Sequence, residues 1–317
     1  MKKFAFVFPG QGAQYVGMGE GLLYSSCGQD IIQRASDVIG FDLKELCING
    51  PLEMLTRTEN SQVALYTLGY IAYALCKNEL PCDCEPSYVA GLSLGEFTAL
   101  AAAGVYTFED GLRLVQKRGR YMMESCEANP GTMACVMGAD RKVVQSLLDS
   151  QISDGKLIAM ANLNCPGQIV VSGHHEAVDA LCVQAEADGL RVARLNVSGA
   201  FHSPLMESAR VKLADAVNDI PFNDARIPVI TNCDAKEKRS AQSIKDAIIK
   251  QMVSSVYFED SVQYMIANGV ELFIEPGCGK VLKGLIRRID RNPVCNTVES
   301  QQDVESVAAL LCEEVAQ

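Results

Sequence analysis

Residues 89–104 read "VAGLSLGEFTALAAAG". A β run ends at Gly91, the five residues Gly91-Leu92-Ser93-Leu94-Gly95 make a bend, and an alanine-rich helix follows. Strand, serine between small residues, then helix is the context in which a G-x-S-x-G turn pushes a hydroxyl out as a nucleophile. The same glycines would also serve plain packing, by letting strand and helix approach closely. The turn aims the first free N–H groups of the helix, notably that of Leu94, at whatever sits on Ser93.

Outward from this turn, strand and helix alternate. "FAFVFPG" precedes helical patterns around 30–40 and 60–77, then "YVAGLS", the helix from Leu94 and another from Glu109. Towards the C-terminus "IPVIT", a helix around 243–252, "ELFIEPG" and a helix from Lys280 continue the pattern. Such alternation implies a largely parallel sheet flanked by helices. The middle differs. "TMACVMG", a helix at 140–149, "LIAMANLN", a turn at Cys165-Pro166-Gly167, "QIVVSG", a helix at 175–188 and "RVARLNV" make a β-α-β-β-α-β, ferredoxin-like unit. The expected organisation is an α/β domain of residues 1–126 and 197–317 with 127–196 inserted as a subdomain. A cleft is expected at the junction.

Composition narrows the function. A net charge of −11 over 317 residues argues against nucleic-acid binding. No apolar run reaches the length of a membrane span. The start, Met1-Lys2-Lys3 and "FAFVFP", is too short in its apolar part for a signal peptide, so a cytoplasmic protein is expected. The thirteen cysteines lie scattered, with no C-x-x-C; Cys82 and Cys84 form one close pair with no second pair to complete a zinc site. They read as small hydrophobes in a reducing compartment.

A nucleophilic serine needs a base, and the chain has three histidines. His174 and His175 stand at the start of a helix in the inserted unit and suit surface or capping positions. His202, in "LNVSGAFHSPLM", lies where the chain returns to the main domain and is the better base. Arg118 sits on a helix opened by Thr107 and Asp110 in the manner of a capping box. At 100° per residue, Leu114 and Met122 lie one turn to either side of it, flanked by Val115 and Tyr121. Arg113, Lys117, Arg120 and Glu124 fall on the other side. Arg118 thus occupies the middle of an apolar face, where a guanidinium wants an anion: a structural carboxylate or a substrate carboxylate. "FPGQGAQYVGMG" lacks the third glycine of a dinucleotide fingerprint, because Tyr15 stands there. Its glycines make a tight turn that brings Gln11 near a neighbouring site, as an oxyanion donor or as loop filler.

Taken in order, "FPGQGAQYVGMG", "GLSLGEFTALAAAGV", "RLVQKRGRYMM", "NLNCPGQIVVSG", "GAFHSPLM" and "PGCGKVLKGL" resemble the successive motifs of malonyl-CoA:acyl carrier protein transacylases, from residue 4 to about 290. The resemblance implies an α/β-hydrolase-like domain with an inserted ferredoxin-like subdomain. It implies Ser93 as the acylated nucleophile, His202 as base, Gln11 and the Leu94 N–H as oxyanion hole, and Arg118 as partner of the malonyl carboxylate. It also implies that a main-chain carbonyl near Gln251 holds the histidine, and that Asn162 and Met122 line the pocket. Phe201, in "GAFH", resembles the malonyl-selective form. The sequence departs from the family at Leu92, where histidine usually precedes the nucleophile. The base is unaffected; what departs is a tuning of rate and acyl selectivity.

The implied substrates are malonyl-CoA and the phosphopantetheine thiol of acyl carrier protein. Exchange of one thioester for another is nearly isoenergetic, so no metal or nucleotide cofactor is expected. A serine hydrolase, a relative in polyketide or malonate metabolism and a non-catalytic nucleotide-binding domain are the competing readings. Carrier proteins are acidic, so docking on this acidic chain calls for a local basic patch. "GKVLKGLIRRIDR" offers Lys280, Lys283 and Arg287 at helical spacing with Arg288 and Arg291 beside them; Arg191 and Arg194 are a second candidate, and an ordinary solvated face is the alternative.

Overall fold

The computed structural model describes residues 3–80, 84–151 and 156–313. Cys82 lies outside these residues. Among the described residues ten strands form two sheets: β1 (Lys3–Phe8), β2 (Tyr88–Gly91), β3 (Thr132–Met137), β4 (Ile158–Cys165), β5 (Gln168–Gly173), β6 (Arg191–Arg194), β7 (Val229–Ile230), β8 (Glu237–Lys238), β9 (Val270–Pro276) and β10 (Val294–Val298).

The large sheet has the order β10-β9-β1-β2-β7-β8. All its pairs are parallel except the edge pair β7–β8. β1 is central, and Phe4 to Phe8 are buried on both faces, as an unbroken apolar run demands of a strand covered by helices on each side. Each fully buried Phe contributes about 1.5–3 kcal/mol relative to exposure. The helix Leu94–Ala102 is buried at all nine positions. It packs against the helices Thr58–Glu79 and Phe108–Ala128, so its alanines face neighbours all round.

The small sheet has the order β4-β5-β3-β6 and is antiparallel throughout. The helices Arg141–Gln151 and His175–Ala187 pack on it around a core of their own, including Val136, Leu148, Val171 and Leu181. This is the β-α-β-β-α-β unit read from the sequence. The expected seam at 127 falls inside the last turn of the helix Phe108–Ala128, which ends only where Asn129 and Pro130 stop it.

Candidate active site

At the elbow, Ser93 has φ 53° and ψ −100°, a region that a serine rarely occupies. Gly91 and Gly95 make the bend physically possible. A Cβ on Gly91 would stand 2.0 Å from the main-chain carbon of Gly95, and one on Gly95 would stand 2.0 Å from the carbonyl oxygen of Phe8. Packing and chemistry are therefore the same feature here: close approach of helix and strand is what holds the serine out. Among the described residues Ser93, His202 (φ 56°) and Ala235 are the non-glycine residues with positive φ. Two of the three are the expected nucleophile and base, and each such conformation costs about 1–3 kcal/mol.

Ser93 Oγ lies 2.7 Å from His202 Nε2. His202 Nδ1 lies 2.9 Å from the main-chain carbonyl oxygen of Gln251, which can only accept. Nδ1 therefore carries the proton, and Nε2 is free to accept from the serine hydroxyl. Burial pushes the imidazole down to about 4, with the nearby Arg118 charge acting in the same direction and the Gln251 hydrogen bond opposing. The base is neutral at neutral pH. His174 and His175 lie elsewhere, at the start of their helix; His174 Nδ1 accepts from the Leu157 N–H at 2.9 Å.

Arg118 is 1% exposed, between buried Leu114, Val115 and Met122, as the helical spacing predicts. Its Nη1 donates to Gln62 Oε1 at 2.7 Å, and its Nη2 donates to Ser93 Oγ and Gln251 Oε1, both at 3.1 Å. The guanidinium lies 5.0 Å over the Phe97 ring, and Nε is buried without a partner. Every hydrogen-bond acceptor it meets among the described residues is neutral. Burial lowers its pKa to about 10, opposed by Glu96, so it stays charged at neutral pH.

A cleft of about 290 Å³ opens onto these groups. It is lined by Gln11, Leu92, Ser93, Leu94, Arg118, Met122, Asn162, Phe201 and His202, together with Met133 of β3 and the stretch Leu195–Val197 that follows β6. The expected site residues thus meet at the junction of the two sheets. Gln251 sits beneath them, fully buried. The N–H groups of Gly95 and Glu96 are taken by the carbonyls of Leu92 and Ser93, which leaves that of Leu94 as the first uncommitted donor of the helix. Gln11 lines the same cleft, its side chain donating to Thr58 Oγ1 at 3.3 Å. Leu92 lines the cleft and packs against the apolar cluster around Ala90, Cys165 and Leu282.

Sequence reasoning missed three buried polar residues here. Gln62 holds Arg118, and its amide nitrogen lies 3.3 Å from Met122 Sδ. Asn232 accepts from the Ser93 N–H at 2.7 Å and donates to the Gly91 carbonyl at 2.6 Å, clamping both sides of the elbow. Glu96 accepts from Gln251 Nε2 at 2.7 Å and from the Asn232 N–H at 3.2 Å. Glu96 alone was visible, as a charge within a largely apolar run; Gln62 follows Thr58-Glu59-Asn60-Ser61 and Asn232 stands between Thr231 and Cys233-Asp234, so no pattern marked them. Ser93 and Glu96 even have capping-box spacing, yet the serine makes no cap bond. Its hydroxyl is turned to His202 and the glutamate to Gln251.

The acyl transferase domain model matches residues 5–308. The chain belongs to this family. Among acyl transferases, it is 38% identical to a malonyl CoA-acyl carrier protein transacylase of Bacillus subtilis (strain 168) over 316 residues, 99% of both chains. It is 40% identical to one of Staphylococcus aureus (strain MRSA252), covering 96% of this chain and 98% of that one. The malonyl CoA-acyl carrier protein transacylase structure from Coxiella burnetii superposes with a TM-score of 0.94 at 35% identity, over 98% of each chain. A malonyl-transacylase solved in complex with a type II PKS acyl-carrier protein superposes with a TM-score of 0.93 at 33% identity, over 97% of this chain and 99% of that one.

Proposed function

We propose that this acyl transferase moves a malonyl group from malonyl-CoA to the phosphopantetheine thiol of acyl carrier protein, through a malonyl ester of Ser93, and so supplies fatty acid synthesis. The observation that carries the reading is Arg118: a buried guanidinium, charged at neutral pH, with only neutral acceptors and 3.1 Å from the serine oxygen. A hydrolase of neutral esters has no use for it. The free carboxylate of a malonyl thioester supplies the anion it lacks.

In the first half-reaction His202 Nε2 takes the Ser93 proton as Oγ attacks the thioester carbonyl. The N–H groups of Leu94 and Gln11 receive the developing oxyanion, at the positive end of the helix Leu94–Ala102. The tetrahedral intermediate collapses, coenzyme A leaves, and its sulfur takes the proton from His202. Arg118 exchanges its bond to Ser93 Oγ for the malonyl carboxylate. The carrier thiol then attacks the ester by the same steps reversed. Met122 and Phe201 make the cleft wall apolar and help keep water from the ester. The steps need only groups of this chain, the thioester donor and the thiol acceptor, so no metal or further cofactor is assigned a part.

Among the described residues no helix is long and apolar enough to cross a membrane, and eleven cysteines, from Cys27 to Cys312 and leaving Cys84 aside, are in no disulfide. Unpaired thiols suit a reducing compartment, and we assign the protein to the cytoplasm.

Intact-protein mass spectrometry after mixing with malonyl-CoA tests the reading. The chain should gain one malonyl group, lose it on addition of carrier protein, and gain none as Ser93→Ala with an unchanged melting temperature. A persistent adduct on the alanine variant overturns the assignment.

A further inference from the structure

The chemistry above leaves unused a buried carboxylate that lies beside the site. Glu96 is fully buried in the first turn of the elbow helix. Its Oε2 takes both available donors, Gln251 Nε2 and the Asn232 N–H, while Oε1 is buried and meets no donor. Glu96 makes no ion pair within 4.0 Å among the described residues. It reaches the nearest cation through one amide: Gln251 donates to Glu96 at 2.7 Å and accepts from Arg118 at 3.1 Å. Glu96 thereby fixes which end of the Gln251 amide faces the guanidinium. The other titratable groups around it are Asp234, Cys233 and Tyr106, with neutral His202 on the Gln251 carbonyl.

With Glu96 ionised, the charges around the cleft balance: one guanidinium, one carboxylate, a neutral imidazole. A malonyl carboxylate seated on Arg118 would leave two negative charges sharing one positive charge among buried side chains, which is costly. The vacant Oε1 can accept a proton without displacing either donor from Oε2. We propose that Glu96 is a specificity-determining residue acting through Gln251: when ionised it balances Arg118, and it takes up a proton from solvent when the substrate carboxylate engages the guanidinium. This rests on the reading of Arg118 given above.

Burial already lifts the Glu96 carboxyl to about 7, against the opposing pull of Gln251, Asn232 and Arg118. A substrate anion beside Arg118 raises it further. Binding of malonyl therefore takes up a proton. Affinity is full below about pH 7 and falls, at most about tenfold per pH unit, as pH rises from the free to the bound midpoint. An acetyl group, without the carboxylate, produces no such linkage.

The test measures dissociation constants of malonyl-CoA and acetyl-CoA on the Ser93→Ala chain from about pH 6 to 9. The ratio of the two cancels titration of the coenzyme and of His202. The malonyl preference should fall above about pH 7, by up to about tenfold per unit, and Glu96→Gln in the same background should flatten it. Should the glutamine variant not fold, calorimetry of malonyl-CoA binding in two buffers of different ionisation enthalpy reads proton uptake without it. A pH-independent preference, a slope that survives Glu96→Gln, or no proton uptake overturns the role of Glu96. A ratio near one at every pH overturns the Arg118 reading on which it rests.

Discussion

Under the proposed function Arg118 separates a malonyl transferase from other serine acyl transferases, because no carboxylate of the described residues touches it and an anion in direct contact comes from the substrate. Arg118→Ala should lower kcat/KM for malonyl-CoA far more than for acetyl-CoA. A charge-assisted, bidentate contact in a dry site is worth on the order of 2–4 kcal/mol, so discrimination should fall by tens- to several-hundred-fold. Equal losses for both donors, or a collapsed melting temperature, would return Arg118 to a structural part. His202 carries a second expectation. A general base works when neutral, and its depressed pKa of about 4 keeps it neutral to lower pH than an ordinary histidine. The rate of Ser93 acylation at saturating malonyl-CoA should stay level from about pH 8 down to about 5.5 and decline below. A half-maximal rate near 6.5 would mean that the imidazole is not buried as described.

The elbow tests how an element presents a residue. Gly95 lies in a helix, where alanine ordinarily gains about 1 kcal/mol. Its Cβ would meet main-chain atoms, the Phe8 carbonyl oxygen at 2.0 Å and its carbon at 2.7 Å, which cannot swing aside. Gly95→Ala should therefore destabilise by roughly 3 kcal/mol or more and lower Tm by several degrees. Gly284, in the helix Val281–Ile289, has nothing within 4 Å of its Cβ position. Gly284→Ala should be neutral or stabilising by up to about 1 kcal/mol. Thermal melts of the two variants decide it, and shifts of the same sign would show that helix propensity outweighs the close approach at the elbow.

For the whole molecule, the matter is how a chain of net charge −11 receives an acidic carrier. The helix Val281–Ile289 packs against β4, the strand that brings Asn162 to the cleft. Lys280, Lys283, Arg287 and Arg291 are exposed and have no carboxylate in ion-pair range among the described residues. Arg288 is tied to Gln168 Oε1 at 2.6 Å. Arg194, of the second candidate patch, is paired with Asp179, which cancels its charge. The helix is therefore the stronger candidate for docking. Reversing Lys283 and Arg287 to glutamate should slow transfer to carrier protein, and added salt should slow the unaltered chain. Formation of malonyl-Ser93 should change little, since that step needs no carrier. Equal slowing of both half-reactions, or of neither, removes this helix from consideration.

What the sequence determined by itself was local. The elbow, the strand–helix alternation, the inserted unit and the inward aim of Arg118 all follow from spacing, because period and turn chemistry act between neighbours in the chain. His202 came from scarcity, three histidines of which two stood at a helix start. Gln251 came only through family resemblance, because the group it offers the base is a main-chain carbonyl, which no side-chain pattern records. The tertiary structure alone decided the second layer: Asn232 clamping the elbow from 139 residues away, Gln62 steadying the guanidinium, and Glu96 answering Gln251 across 155 residues. Hydrogen bonds between buried groups depend on which elements the fold presses together. Sequence could mark Glu96 as a charge in an apolar run, but only folding supplied the donors that make burying it tolerable.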